Sequence, residues 1–169
     1  MRPLALLILC LQTLTAFAGQ IDLAVIQFPE PKTAAELNAA LADVRLAEIT
    51  NSDRTLSKHP LLKHSSVLFA QSTNTNALTS STRIGAIRAD VSGDYRGGRL
   101  DVRIDLSEGV KSGFRSFSSR TYQGSAMISP GSPKIISIRT ITKKINTSVK
   151  GVPNVEEVTN SHAIIAQVR

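Results

Sequence analysis

Leu100, Val102, Ile104 and Leu106 alternate with Asp101, Arg103 and Asp105 in the run Arg99 to Leu106. A period of two sends the apolar side chains to one face and the charged ones to the other, so this run is a strand lying on a core. Just before it stands Ser92-Gly93-Asp94-Tyr95-Arg96-Gly97-Gly98, and before that Arg83 to Val91, with Ile87, Ala89 and Val91 on one face. Glycine reaches positive φ at little steric cost and aspartate tolerates turns, so the segment reads as a hairpin between two strands. A calcium loop would use Asp90, Ser92 and Asp94 at alternate positions and close on a bidentate glutamate, but Glu108 comes too late and across a strand. The glycine spacing of a dinucleotide-binding loop, and the helix that follows one, are also missing.

Other segments extend this pattern. Ile21 to Phe28 reads as a first strand, stopped by Pro29 and Pro31. Thr33 and Glu36 have capping-box spacing, and Leu37, Ala40, Leu41 and Val44 follow at helical spacing. One helix is expected over Ala34 to Glu48. Glu48 to Leu56 and Ser65 to Gln71 read as strands, and the polar stretch Ser72 to Thr82 as an exposed loop. Ser107 to Phe117 is a connection, and Phe117 to Ile128 a long strand. Ser129-Pro130-Gly131-Ser132-Pro133 is a turn, followed by a strand over Lys134 to Thr142. Gly151-Val152-Pro153-Asn154 breaks the chain, and His162 to Val168 closes the sheet. The expected class is mainly β (α+β): antiparallel sheets built of hairpins, with one N-terminal amphipathic helix.

Residues 1–18 are not expected in the fold. Met1-Arg2-Pro3 gives a positive start, Leu4 to Phe17 is almost wholly apolar, and Ala16-Phe17-Ala18 is a small-x-small cleavage site. That is the pattern of a secretory signal peptide cut between Ala18 and Gly19. The apolar run is shorter than the ~20 residues of a spanning helix. Residues 19–169 then form a single secreted domain, in the periplasm, in the outer membrane or outside the cell. Cys10, the only cysteine, goes with the signal, so a disulfide, a thiolate nucleophile and a cysteine metal cluster are excluded from the mature chain.

The formal charge is +7 and it is unevenly spread. No acidic residue lies between Glu108 and Glu156, where Lys111, Arg115, Arg120, Lys134, Arg139, Lys143, Lys144 and Lys150 fall. Such a window suits contact with an anionic polymer or lipid head groups. Arg139, Lys143, Lys144 and Lys150 are the candidate anion-binding residues. With 4% aromatic residues and no tryptophan, stacking on bases or sugars has little to work with, and no specific nucleic-acid partner is expected.

Catalytic patterns are weak. His59 and His64 flank a proline and lack a third ligand of metal spacing, and His162 lies far along the chain. No nucleophile elbow surrounds a serine. Asp101 and Asp105 sit beside Arg103 on a polar strand face, which surface charge alternation explains. Neither an enzymatic activity nor a cofactor or metal is expected. Asn146-Thr147-Ser148 is a glycosylation sequon where the host uses one.

From Thr33 to Val158 the order of elements resembles the C-terminal β-domain of bacterial secretins, the outer-membrane rings of type II and type III secretion and of pilus systems. A helix and a strand pair lead to Ile84-Gly85-Ala86-Ile87-Arg88-Ala89-Asp90-Val91 and then to Gly97-Gly98-Arg99-Leu100-Asp101-Val102-Arg103-Ile104. A strand, turn and strand follow over Arg120 to Ile136, and Gly151-Val152-Pro153-Asn154-Val155 resembles the closing segment. Asn51-Ser52-Asp53-Arg54 stands where the family has a proline, and Ser137-Ile138-Arg139 where it has a double glycine. The resemblance implies a cell-envelope protein acting in assembly or secretion, whose partners are copies of itself or other envelope secretion proteins. Arg88, Arg103, Arg120 and Arg139 would then need a lumen or a protein interior, because arginine facing lipid costs roughly 2–4 kcal/mol. The alternative is a monomeric secreted module that binds an anionic polymer or partner through its basic surface.

Overall fold

The computed structural model describes residues 19–42, 44–51, 64–84, 87–109, 117–149 and 152–169. Residues 1–18, expected as a signal segment, and His59 and Lys150 lie outside them. Among the described residues there are eight strands and two short helices: β1 (Gln20–Phe28), α1 (Ala34–Leu41), α2 (Leu46–Asn51), β2 (Ser66–Asn74), β3 (Ser80–Ile84), β4 (Ile87–Arg96), β5 (Arg99–Gly109), β6 (Phe117–Met127), β7 (Lys134–Val149) and β8 (Val152–Val168). They form two four-stranded antiparallel sheets, ordered β2-β1-β8-β7 and β3-β4-β5-β6. The mainly-β class expected from the alternating runs is the one observed.

The layers follow from side-chain parity. Ile21, Leu23 and Val25 of β1 and Ile164, Ala166 and Val168 of β8 meet Leu100, Val102, Ile104 and Leu106 of β5 between the sheets. On the other side of the first sheet, Ala24, Ile26, Phe28, Ala163 and Ile165 pack with Leu37 and Leu41 of α1 and Leu46 and Ile49 of α2. β1 and β8 are therefore covered on both faces. This explains why they read as nearly unbroken apolar runs, whereas β5, covered on one face, alternates. Each such aliphatic side chain contributes about 1.5–3 kcal/mol on burial.

The sheets approach most closely where β6 passes β7. A Cβ added at Gly124 would lie 2.7 Å from the Ser137 Cβ and 2.9 Å from the Ile136 Cγ2. Only a residue without a side chain lets the two strands come together there.

The capping box at Thr33 is present: Glu36 Oε2 accepts from the Thr33 N–H at 2.8 Å, and the Thr33 hydroxyl accepts from the Glu36 N–H at 3.3 Å. The single helix expected to Glu48 is instead two, α1 ending at Leu41 and α2 starting at Leu46. The break lets Leu46 and Ile49 turn onto the sheet. Gln167 of β8 caps the new start: its Oε1 accepts from the Leu46 N–H at 2.8 Å, while its Nε2 donates to the Gly131 carbonyl at 2.7 Å. The strand expected over Glu48 to Leu56 is thus helical as far as Asn51, and its remainder lies outside the described residues.

Four other boundaries differ. Ser72 to Thr82 is no loop throughout: β2 runs to Asn74, a turn follows, Leu78 is buried and β3 begins at Ser80. Gln71 bonds the Ser80 hydroxyl at 2.8 Å across this passage from one sheet to the other. The expected strand Arg83 to Val91 is folded back on itself, with Ile84 opposite Ile87. The hairpin at Ser92 to Gly98 has a shorter turn, since β4 continues to Arg96 and only Gly97 and Gly98 turn, at φ 57° and 80°. Positive φ at both central residues matches the right-handed twist of the paired strands. Finally, β7 extends past Thr142 to Val149, and β8 begins at Val152 rather than His162, with Val149 opposite Val152. Val152, Pro153 and Asn154 therefore belong to a strand and not to a break.

Candidate functional site: a projecting hairpin and a basic cleft

β1 pairs with β8 only from Ser161 onward. Before that point β8 has β7 beside it and, among the described residues, no strand on its other side. The two strands therefore leave the sheet together as a two-stranded arm. Nine residues of β8, 152–160, at about 3.4 Å each carry it roughly 30 Å from the sheet. The cross-strand register divides its side chains into two faces. Arg139, Ile141, Lys143 and Ile145 share one with His162, Asn160, Val158 and Glu156. Thr142, Lys144 and Asn146 share the other with Thr159, Glu157 and Val155. Ile145 and Val155 are 43% and 58% exposed, so apolar groups stand in solvent on both faces.

Charge separates by strand. Within the arm, β7 carries Lys143 and Lys144 and no acid, while β8 carries Glu156 and Glu157 and no base. Lys144 Nζ lies 3.3 Å from Glu157 Oε1, with both groups well exposed. The candidate anion group is accordingly divided: Arg139 and Lys143 face one way, and Lys144 faces the other with its own carboxylate.

At the base of the arm a cleft of about 340 Å³ opens between β6 and β7. Tyr122, Gln123, Ser137, Arg139 and His162 are among its walls. His162 is 3% exposed and stacks on Tyr122, with ring centroids 5.7 Å apart and planes at 14°. The Tyr122 hydroxyl lies 2.7 Å from His162 Nδ1. Arg120, two residues before Tyr122 on the same face of β6, donates to that hydroxyl. A hydroxyl has one proton to donate and two lone pairs to accept with, so Tyr122 can meet His162 Nδ1 with either tautomer of the ring. Burial, then the charges of Arg120, Lys143 and Arg139, push His162 down to about 4. The ring is therefore neutral near pH 7. Burial raises the Tyr122 hydroxyl above its usual range, with Arg120 and Arg139 acting the other way.

Among the described residues, none of Arg120, Arg139 and Lys143 is in an ion pair. Arg139 stands directly opposite His162, and Lys143 follows on the same face of β7. Sequence reasoning missed Arg120, Tyr122 and His162 as neighbours. The alternation of β6 puts Arg120 and Tyr122 on one face, but which strand that face meets is decided by the packing of the sheets.

The acidic residues near the opening hairpin have another arrangement. Asp90, Asp94, Asp101 and Asp105 pair along their own strands with Arg88, Arg96, Arg99 and Arg103, at 3.0, 2.9, 3.2 and 2.9 Å. Asp90 faces Asp105 across the ladder and Asp94 faces Asp101, like charges that the arginines offset. Hydrogen bonds from Arg103 and Thr121 hold the Asp105 carboxyl below its usual range. Among the described residues no group of three His, Cys, Asp or Glu side chains is arranged to hold a metal. His64 is exposed, at φ 68°.

No family model matches the sequence, and no curated protein matches it. Among solved structures, the type II secretin GspD of enteropathogenic Escherichia coli matches at 13% identity and a TM-score of 0.38. The match covers 98% of this chain and 73% of that one. This is a weak structural resemblance.

Proposed function

We propose that the chain is an exported, non-enzymatic module of the cell envelope that joins copies of itself through strand edges. The arm formed by β7 and β8 is the observation that carries this reading. An isolated two-stranded ribbon is at best marginally stable in water. Here such a ribbon is long, has exposed apolar side chains on both faces, and has a basic strand along one edge and an acidic one along the other. The acidic edge of one arm complements the basic edge of the next. Repeated head to tail, that contact closes into a ring or barrel wall, which leaves no open edge. Lysines at the edge and Pro153 discourage indiscriminate strand addition, so a partner of matching charge is favoured. The secretin-like order of elements in the sequence carries the same expectation of ring assembly.

The test uses the molar mass of the purified protein by light scattering, in buffer and in mild detergent. The wild type should form a defined oligomer. A variant with Lys143→Glu and Lys144→Glu should be monomeric, and so should one with Glu156→Lys and Glu157→Lys. Mixing the two variants should restore the oligomer, because only pairing between chains is repaired by mixing. A wild-type monomer in both solvents would sink the reading.

A further inference from the structure

We propose that the cleft between β6 and β7 binds a phosphoryl group, held by Arg139 and Lys143 from the arm side and by the Arg120–Tyr122–His162 chain from within. The argument starts from what surrounds the cleft. Arg139 is one of its walls, and Arg120 and Lys143 lie near enough to act on the charge of His162, another wall; among the described residues none of the three has a carboxylate in an ion pair. Bringing like charges together without counterions is unfavourable, and a dianion reverses the sign of the interaction. Two of the cations are arginines, whose planar forks match the oxygens of phosphate, and the lysine adds a compact point charge.

The neutral groups fit the same ligand. His162 lines the cleft and is neutral near pH 7, so it offers ring nitrogens to a ligand without adding to the repulsion. Ser137 and Gln123 supply further polar atoms at the walls. On the face of the arm that carries Lys143 the nearest acid is Glu156, two positions beyond Val158, and Asp105, which accepts from the wall residue Thr121, is paired with Arg103. A dianion offsets two of the three positive charges and a monocarboxylate only one. The site lies within one chain and is independent of whether arms pair.

The cleft can be read directly at His162, one of three histidines in the sequence. The imidazole resonances of the purified protein, assigned with a His162→Gln variant, would be followed while inorganic phosphate is added. A parallel series uses phosphatidylcholine vesicles with and without phosphatidic acid. A saturable shift of the His162 ring with free phosphate supports a soluble phosphoryl ligand. A shift only with phosphatidic acid supports a lipid headgroup. In either case Arg139→Gln should weaken binding about tenfold, the loss expected for one charge-assisted hydrogen bond. Arg99→Gln removes the same charge from the outer face of β5 and should change nothing. The response should survive in the Glu156→Lys, Glu157→Lys variant whatever its oligomeric state. A His162 ring that ignores both probes, or a shift equal in Arg139→Gln and wild type, would overturn the proposal.

Discussion

β8 passes through two surroundings. From Ser161 to Val168 it lies between β1 and β7, with helices on one face and the second sheet on the other, and every residue is buried. From Val155 to Glu157 the same strand has only β7 beside it, and every residue is exposed. Both halves are continuous extended backbone paired with β7, the register shifting once in the buried half between Ile135 and Ser137. The difference teaches that local strand formation and burial are separate matters. A ladder on one edge suffices for the conformation, but a second ladder and two covered faces are what make the segment core.

The largest test of that contrast is truncation in each half. Ile165→Ala removes a fully buried side chain between the helices and the sheet, and should cost about 2–5 kcal/mol in denaturant unfolding. Val155→Ala in the arm should cost no more than about 0.5 kcal/mol. Equal costs would mean that the arm is packed as tightly as the sheet.

Next comes the edge of the buried half. Asp22 is fully buried in β1, where Ser72 donates to Oδ1 and the Arg169 guanidinium lies 2.7 Å from Oδ2. Removing the cation leaves the carboxylate short of a partner. Arg169→Ala should lose about 1.5–3 kcal/mol, read as a shift of the unfolding midpoint. An unchanged midpoint would show that Ser72 alone compensates the charge.

A third measurement falls at the junction of the two halves, where His162 ends the buried segment. Its folded pKa, about 4, is below the ordinary 6.5, so between these values the unfolded chain binds more protons. Stability from this group is complete above about pH 6.5 and falls as the pH drops toward 4. The thermal midpoint should decline over that window, and His162→Gln should flatten the decline. Asp90, Asp101, Asp105 and Glu36 also have lowered values, from hydrogen bonds to the carboxylates, and their contribution is lost at more acid pH. A decline that begins only below pH 4 would assign it to them instead.

The smallest effect belongs to the arm itself. Lys144 and Glu157 are both well exposed, so Lys144→Gln should change the stability of the monomeric protein by less than about 1 kcal/mol. A larger loss would mean that the cross-strand pair organises the arm.

Much of this architecture was legible in particular residues. The alternation of Leu100 to Leu106, the capping box at Thr33 and Glu36, and the turn at Gly97-Gly98 report local physics: side-chain parity, orphan N–H groups at a helix start, and positive φ. Each is set by residues within a few positions of one another. The length of β7 and β8 was not legible in this way. Their outer halves are polar, because a ribbon exposed on both faces needs no apolar stripe, and Pro153 reads as a break until it is seen on a strand edge. The second helix was hidden for a related reason, since its start is capped by Gln167, far away in the chain.

The sequence by itself determined that the chain is mainly β, where its tightest turns lie, and that its second half is basic. Tertiary structure decided which basic residues act together. Arg139 and Lys143 share a face because β7 alternates, but Arg120, Tyr122 and His162 join them only because Gly124 lets β6 pass close to β7. Lys144, adjacent in sequence to Lys143, is turned to the opposite side and meets Glu157. Neighbours in the chain point apart on a strand, and neighbours across two sheets meet only where the backbones can approach.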